Sequence, residues 1–160
     1  PLVSTSVSYA LDLNDSFSDL HSLVVEGQMR VWKYLSSGIM YQYVFPQLSS
    51  AGSRLKALEP TLSVSVGQLQ WAVFSLTQLQ FILGEWNVMN VFPLQAELLI
   101  GGGTGLTHKR PDTDEDGKNS FSYLWSIEQR FRIIQNAGIS ASLFGNTGGT
   151  FLSVGAHARF

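Results

Sequence analysis

The stretch Ser122-Tyr123-Leu124-Trp125-Ser126-Ile127-Glu128-Gln129-Arg130-Phe131-Arg132-Ile133 decides how the rest of the chain is read. Tyr123, Trp125, Ile127, Phe131 and Ile133 fall on one parity, and Ser122, Ser126, Glu128, Arg130 and Arg132 on the other. Period-two alternation places the two sets on opposite faces of a β-strand. One face is aromatic and aliphatic; the other carries charges of both signs.

The same alternation recurs upstream and downstream. Val3, Val7, Tyr9, Leu11 and Leu13 oppose Ser4, Ser6, Ser8, Ala10 and Asp12, and Leu23, Val25, Met29 and Val31 oppose Ser22, Glu26, Gln28 and Arg30. Ile39, Tyr41, Tyr43 and Phe45 form an apolar face opposite Met40, Gln42 and Val44, closed by Pro46. Leu62, Val64 and Val66 are apolar at even positions but Leu69, Trp71 and Val73 at odd ones, which predicts a β-bulge at Gly67. Ile139 to Phe144 and Phe151 to Phe160 read as a final hairpin about the turn from Asn146 to Gly149.

Turn residues punctuate these runs. Reversals are expected over Asn14 to Asp19, Ser36 to Gly38, Ser75 to Gln78 and Gln135 to Gly138. Longer polar loops are expected over residues 47–60 and 104–119. Ile82, Gly84, Trp86, Val88, Leu94, Ala96, Leu98 and Ile100 keep one parity, so Leu79 to Gly103 reads as one long strand kinked near Pro93. That choice gives eight strands in a single domain over residues 1–160, with both long loops on one side and short turns on the other.

Composition says where such a sheet can live. Of 160 residues, 14% are charged, against about 25% in an average soluble domain, and 44% are hydrophobic. Mean hydropathy is +0.10. No apolar run approaches the about 20 residues of a spanning helix. A closed sheet, in which every backbone group is paired between strands, is the remaining way to cross a bilayer. The expected fold is therefore all-β: a transmembrane, antiparallel, up-and-down β-barrel of about eight strands. A soluble barrel with its apolar face inward, as in lipocalins, is the rival, but a solvated sheet needs more than four lysines. The net charge of -2 and the scattered basic residues exclude a nucleic-acid surface. Without cysteine there is no disulfide, thiolate metal site or cysteine nucleophile. The chain begins at Pro1 without a basic or apolar leader, as a mature exported form would.

The final residues Ser153-Val-Gly-Ala-His-Ala-Arg-Phe160 resemble the C-terminal insertion signal of small bacterial outer-membrane β-barrel proteins: polar Ser153, Gly155, hydrophobic Ala158 and terminal aromatic Phe160. The resemblance implies residence in the bacterial outer membrane among lipid and lipopolysaccharide, and recognition by the barrel-assembly machinery during insertion. Aromatics at Trp71, Trp86, Trp125 and Tyr123 suit interfacial girdles on such a barrel.

The inward face carries Glu26, Arg30, Glu85, Glu97, Glu128, Arg130, Arg132, His157 and Arg159. An eight-stranded barrel is just wide enough for its side chains to fill it, so an ion-pair and hydrogen-bond network is expected there. Asp112, Asp114, Asp116 and Gly117 reproduce the opening of a calcium loop, so a divalent cation over residues 112–117 is the one cofactor to consider. The twelfth position is Tyr123, however, where an EF-hand needs a bidentate Glu.

Hydrolase chemistry finds little support. His21 and Ser22 point to opposite faces, while Ser153 and His157 lie roughly 13 Å apart along one strand. Three functional readings follow. The first is a non-enzymatic barrel whose loops, chiefly residues 104–119, contact lipopolysaccharide, a surface or another envelope protein. The second is a narrow channel or carrier for small or hydrophobic solutes. The third is a lipid A-modifying hydrolase. Replacing Phe160 by Ser should lower the yield of membrane-inserted protein with little effect on synthesis; unchanged membrane yield in a fractionation assay would remove the insertion signal from the account.

Overall fold

The computed structural model describes residues 2–13, 18–48, 57–58, 68–88, 92–110 and 117–160. Eight strands follow in chain order: β1 Val3–Asp12, β2 Ser18–Trp32, β3 Leu35–Leu48, β4 Gln68–Val88, β5 Phe92–Arg110, β6 Lys118–Ile134, β7 Ala137–Asn146 and β8 Gly149–Arg159. Each pairs antiparallel with the next, and β1 pairs with β8 from Ser4↔Arg159 to Asp12↔Phe151, closing the barrel. Closure removes the unpaired strand edges that hydrocarbon could not solvate.

The alternation read from sequence sets the sides. Val7, Tyr9, Leu23, Val25, Ile39, Tyr41, Tyr123, Ile127 and Val154 are exposed on the exterior, whereas Ser6, Ser8, Ser22, Glu26, Gln28, Gln42, Ser126 and Glu128 are buried inside. Apolar residues outside and polar ones inside invert the arrangement of a soluble barrel, which disposes of the lipocalin reading.

The strand count is eight, but β4 and β5 are built differently from the sequence expectation. Ser75 to Gln78 does not turn. It runs through the middle of β4, with Ser75 and Thr77 exposed and Leu76 and Gln78 buried. Nor does Leu79 to Gly103 form one strand, because the chain reverses between Val88 and Phe92, which pair with each other. The uninterrupted even parity across that reversal was misleading. A bulge between Ile82 and Gly84 adds one residue, leaving Phe81, Ile82 and Leu83 all exposed. Gly84 takes the positive φ of 109° that such a bulge requires, a conformation an L-residue with a Cβ adopts only under strain.

The first short turn is likewise Lys33–Tyr34, while Ser36, Ser37 and Gly38 already pair with Arg30, Met29 and Gln28 in β3. Strand pairing also extends into the expected 104–119 loop, as far as Lys109↔Lys118. The bulge expected at Gly67 lies outside the described residues.

The short connections at residues 33–34, 89–91 and 135–136 lie at one end of the barrel, with the two ends of the chain. The longer ones, at 49–67 and 111–117, lie at the other, with the two-residue turn Thr147–Gly148. The wall is uneven in height: β4 and β5 have 21 and 19 residues, while β1 and β7 have 10 each. Pairing of β3 with β4 stops at Leu35↔Leu79, yet β4 and β5 stay paired to Val88↔Phe92, so this hairpin overhangs the short-turn end.

The half of the lumen nearer the loops is packed with apolar side chains, including Val24, Met40, Val44, Leu69, Phe74, Leu76, Leu124, Phe144 and Phe151. Phe144 and Phe151 stack with ring centroids 5.2 Å apart. Gly105 on β5 leaves room for this packing, since a Cβ there would sit 2.8 Å from Cδ1 of Phe74. Truncating Phe74 to Ala should therefore destabilise the folded barrel by about 3–5 kcal/mol, the usual cost of emptying a packed aromatic site. A urea midpoint close to that of the parent protein would show the plug to be loosely packed.

Candidate functional site

The interior is the candidate site, and three layers of side chains fill it. Nearest the loops, the β7–β8 turn folds over the opening. Thr147 donates from its backbone N (3.2 Å) and hydroxyl (2.9 Å) to Ser122 Oγ, and Lys109 Nζ donates to the Thr147 carbonyl at 3.3 Å. Asn146 Oδ1 accepts from the Gly148 N–H at 2.6 Å, while its amide donates to Gln42 Oε1 (3.0 Å), and Gln42 donates to Ser22 Oγ (3.1 Å). These bonds stitch β2, β3, β5, β6 and β7 together above and within the apolar plug.

Below the plug lies the charged layer. On β6, Glu128 and Arg130 are two residues apart and so share the inward face; Arg130 Nε and Nη2 donate to the two Glu128 oxygens at 2.8 and 2.9 Å. Arg130 Nη2 also reaches Glu26 Oε2 of β2 at 3.7 Å. Gln28 Nε2 donates to Glu26 (3.0 Å) and to Gln78 of β4 (2.7 Å), and Gln78 donates onward to Ser126 of β6 (3.3 Å). The loop of bonds thus crosses the lumen and returns to the strand it began on. Charged side chains this deeply buried need such complete partnering, since desolvation otherwise exceeds the attraction between them.

Toward the short-turn end, Glu97 of β5 is shared by two guanidinium groups: Arg132 Nη2 at 2.6 Å, and Arg159 of β8. Arg132 Nη1 also donates to Gln95 Oε1 at 2.6 Å. Arg30 donates to the neutral Gln80 at 3.0 Å. Glu85 is exposed at the rim, accepting from Gln95 at 3.4 Å. His157 is buried among these groups with no partner for Nδ1.

Sequence parity thus identified the charged members that meet here, but not the glutamines that connect them. Gln28 and Gln42 stood on the inward parity of strands already recognised, so that parity was their available signal. Gln78 falls within Ser75 to Gln78, whose composition reads as a turn, and Gln80 shares the even parity of the apolar run that follows, so neither is marked as inward.

The other candidates fall elsewhere. Asp112, Asp114 and Asp116 lie outside the described residues; among the described residues no three His, Asp or Glu side chains gather as metal ligands. Ser153 is buried and bonded to Ser142 Oγ (2.6 Å), Gly155 pairs with Ser8 and Ser140, and Ala158 pairs with Thr5 and Ala137. Phe160 is exposed, with its backbone bonded to Val3.

His21 Nδ1 lies 2.5 Å from the Tyr9 hydroxyl, and His108 stacks on Trp71 while bonding Asn119 at 2.6 Å. His21 and His108 therefore have partners other than a serine.

No family model and no curated protein matches the chain. Among solved structures, it is similar to a de novo designed transmembrane β-barrel, with a TM-score of 0.57 at 9% identity over 99% of this chain and 95% of that one. It is also similar to Neisserial surface protein A, with a TM-score of 0.54 at 12% identity over 99% and 95%. The fold is that of the transmembrane β-barrels. The N-terminal β-barrel domain of Pseudomonas aeruginosa OprF matches as well, with a TM-score of 0.49 at 13% identity over 99% and 97%.

The barrel's charged layer makes a direct prediction. Arg130→Glu would set three carboxylates against one another in the lumen and should lower stability by about 3–5 kcal/mol, as breaking a buried pair does. The exchange Glu128→Arg with Arg130→Glu keeps the pair and should recover much of that loss. Equal heat-modifiability and melting of the single variant and the parent would contradict the network.

Proposed function

We propose that the chain is an integral protein of the bacterial outer membrane. In this reading it acts without catalysis, through loop-end segments that contact lipopolysaccharide, a surface or another envelope protein. The observation that carries the reading is the division of the barrel. Its interior is filled by a polar cap, an apolar plug and a charged layer, while the longer connections gather at one end. A lumen blocked by the plug and the charged layer leaves the loops as the surface at that end that can meet a partner. The lipid-facing aromatics and the fold likeness support the membrane assignment, and the short-turn end is then periplasmic.

The closed interior speaks against the channel reading, because an ion would have to pass the dry layer around Phe74, Phe144 and Phe151. The partners of His21 and His108 do not favour a hydrolase. The C-terminal segment from Ser153 to Phe160 is proposed to be what the barrel-assembly machinery recognises.

Replacing residues 111–116 with Gly-Ser repeats should leave outer-membrane fractionation and heat-modifiability intact. It should reduce lipopolysaccharide co-purification or surface adhesion of expressing cells. Planar bilayers containing the parent barrel should stay silent, and the lipid A of expressing cells should keep its mass. Binding unaffected by loop replacement would contradict the loop role; stepwise conductance would restore the channel, and altered lipid A the enzyme.

A further inference from the structure

The short-turn end of the barrel is open. Below the Glu97 ion pairs lies a cavity of about 580 Å³, walled on one side by the overhanging β4–β5 hairpin. That volume is in the range of small-ligand sites. Three guanidinium groups line it, those of Arg30, Arg132 and Arg159, together with the carboxylates of Glu97 and Glu85.

The balance among these groups is uneven. Glu97 is engaged by both Arg132 and Arg159, Glu85 has the neutral Gln95 as its partner, and Arg30 is held by the neutral Gln80. Among the described residues Arg30 is therefore a lining guanidinium without a carboxylate partner. Of the lining donors, Arg132 Nε is buried and finds no acceptor. A guanidinium without a counter-charge at the wall of an open cavity selects an anion, and guanidinium groups favour planar or tetrahedral oxyanions that accept two bonds at once.

The lip has a different chemistry. Leu2, Ile82 and Phe160 also line the cavity and are exposed, so apolar surface continues from the barrel's lipid-facing exterior to the mouth. We infer that this vestibule is a binding site for a small organic phosphate, its oxyanion held by Arg30 and Arg132 and its apolar portion resting on Leu2, Ile82 and Phe160. Two sources share that chemistry: a soluble phosphate ester, or the headgroup of a phospholipid entering over the lip from the adjacent leaflet. Placing the mouth in the periplasm rests on the orientation proposed above; the site itself does not. Its test is separate from the loop experiments.

The test uses the refolded chain in a neutral sugar detergent, with the side-chain Nε–H signals of its six arginines followed by NMR during titration with phenyl phosphate. Saturable shifts should centre on Arg30, Arg132 and Arg159. Arg30→Gln should weaken binding about tenfold, as loss of a charge-assisted bond would. Glu85→Gln, at an exposed position that folding tolerates, should tighten it by removing a carboxylate from the mouth.

The same signals in ligand-free nanodiscs separate the sources. A shift with phosphatidylglycerol but not with a phosphate-free glycolipid identifies a headgroup; no difference between the discs, with phenyl phosphate still binding, identifies a soluble ester. Absence of saturable shifts, equal perturbation of all six arginines, or unchanged affinity in both variants would overturn the site.

Discussion

Closure of the sheet is the constraint on which the other features depend. A backbone N–H or carbonyl left open to hydrocarbon costs several kcal/mol, so the β1–β8 pairing from Ser4↔Arg159 to Asp12↔Phe151 is what allows the remaining strands to stand in a membrane at all. Once the ring is closed, side-chain alternation has two destinations only. Residues of one parity meet lipid and those of the other meet each other across a narrow interior. The exterior then needs no partner chain, and the interior must satisfy its own polar groups.

The interior solves that problem in two ways at two depths. Near the loops it is a small hydrophobic core, with dispersion and exclusion of water holding Phe74, Phe144 and Phe151 against Val24 and Met40. Further down, bidentate Arg130–Glu128 pairing and the glutamine links from Glu26 to Ser126 satisfy charges that water cannot reach. The two layers do different work. The apolar layer contributes stability and blocks passage, whereas an ion network of this kind contributes little net energy and instead fixes which strands face which.

Much of this was legible in the sequence. The faces of β1, β2, β3 and β6 followed from period-two alternation, and the charged lumen residues followed from those faces. Two things were not. Ser75, Thr77 and Gln78 have turn-like composition, but in a barrel they are ordinary strand residues, with the polar ones either facing inward or exposed on the wall; only pairing with Gly101 to Thr104 identifies them as such. The bulge near Leu83 then shifts the parity by one, which made two antiparallel strands look like one continuous run. The apolar plug was also obscured, because Met40, Val44, Leu124 and Phe144 sit on faces expected to be polar. Their burial depends on level within the barrel, a coordinate that alternation along a single strand does not carry.

The central claim is that the odd-numbered residues of β2 face lipid and the even-numbered ones face a closed lumen. The chain has no cysteine, so single cysteines can be placed at positions 22 to 29, spin-labelled, and measured for collision with oxygen in bilayers. The account predicts high accessibility at 23, 25, 27 and 29 and low accessibility at 22, 24, 26 and 28. Loss of the alternation, or its inversion with a protein that stays in solution without detergent, would contradict it.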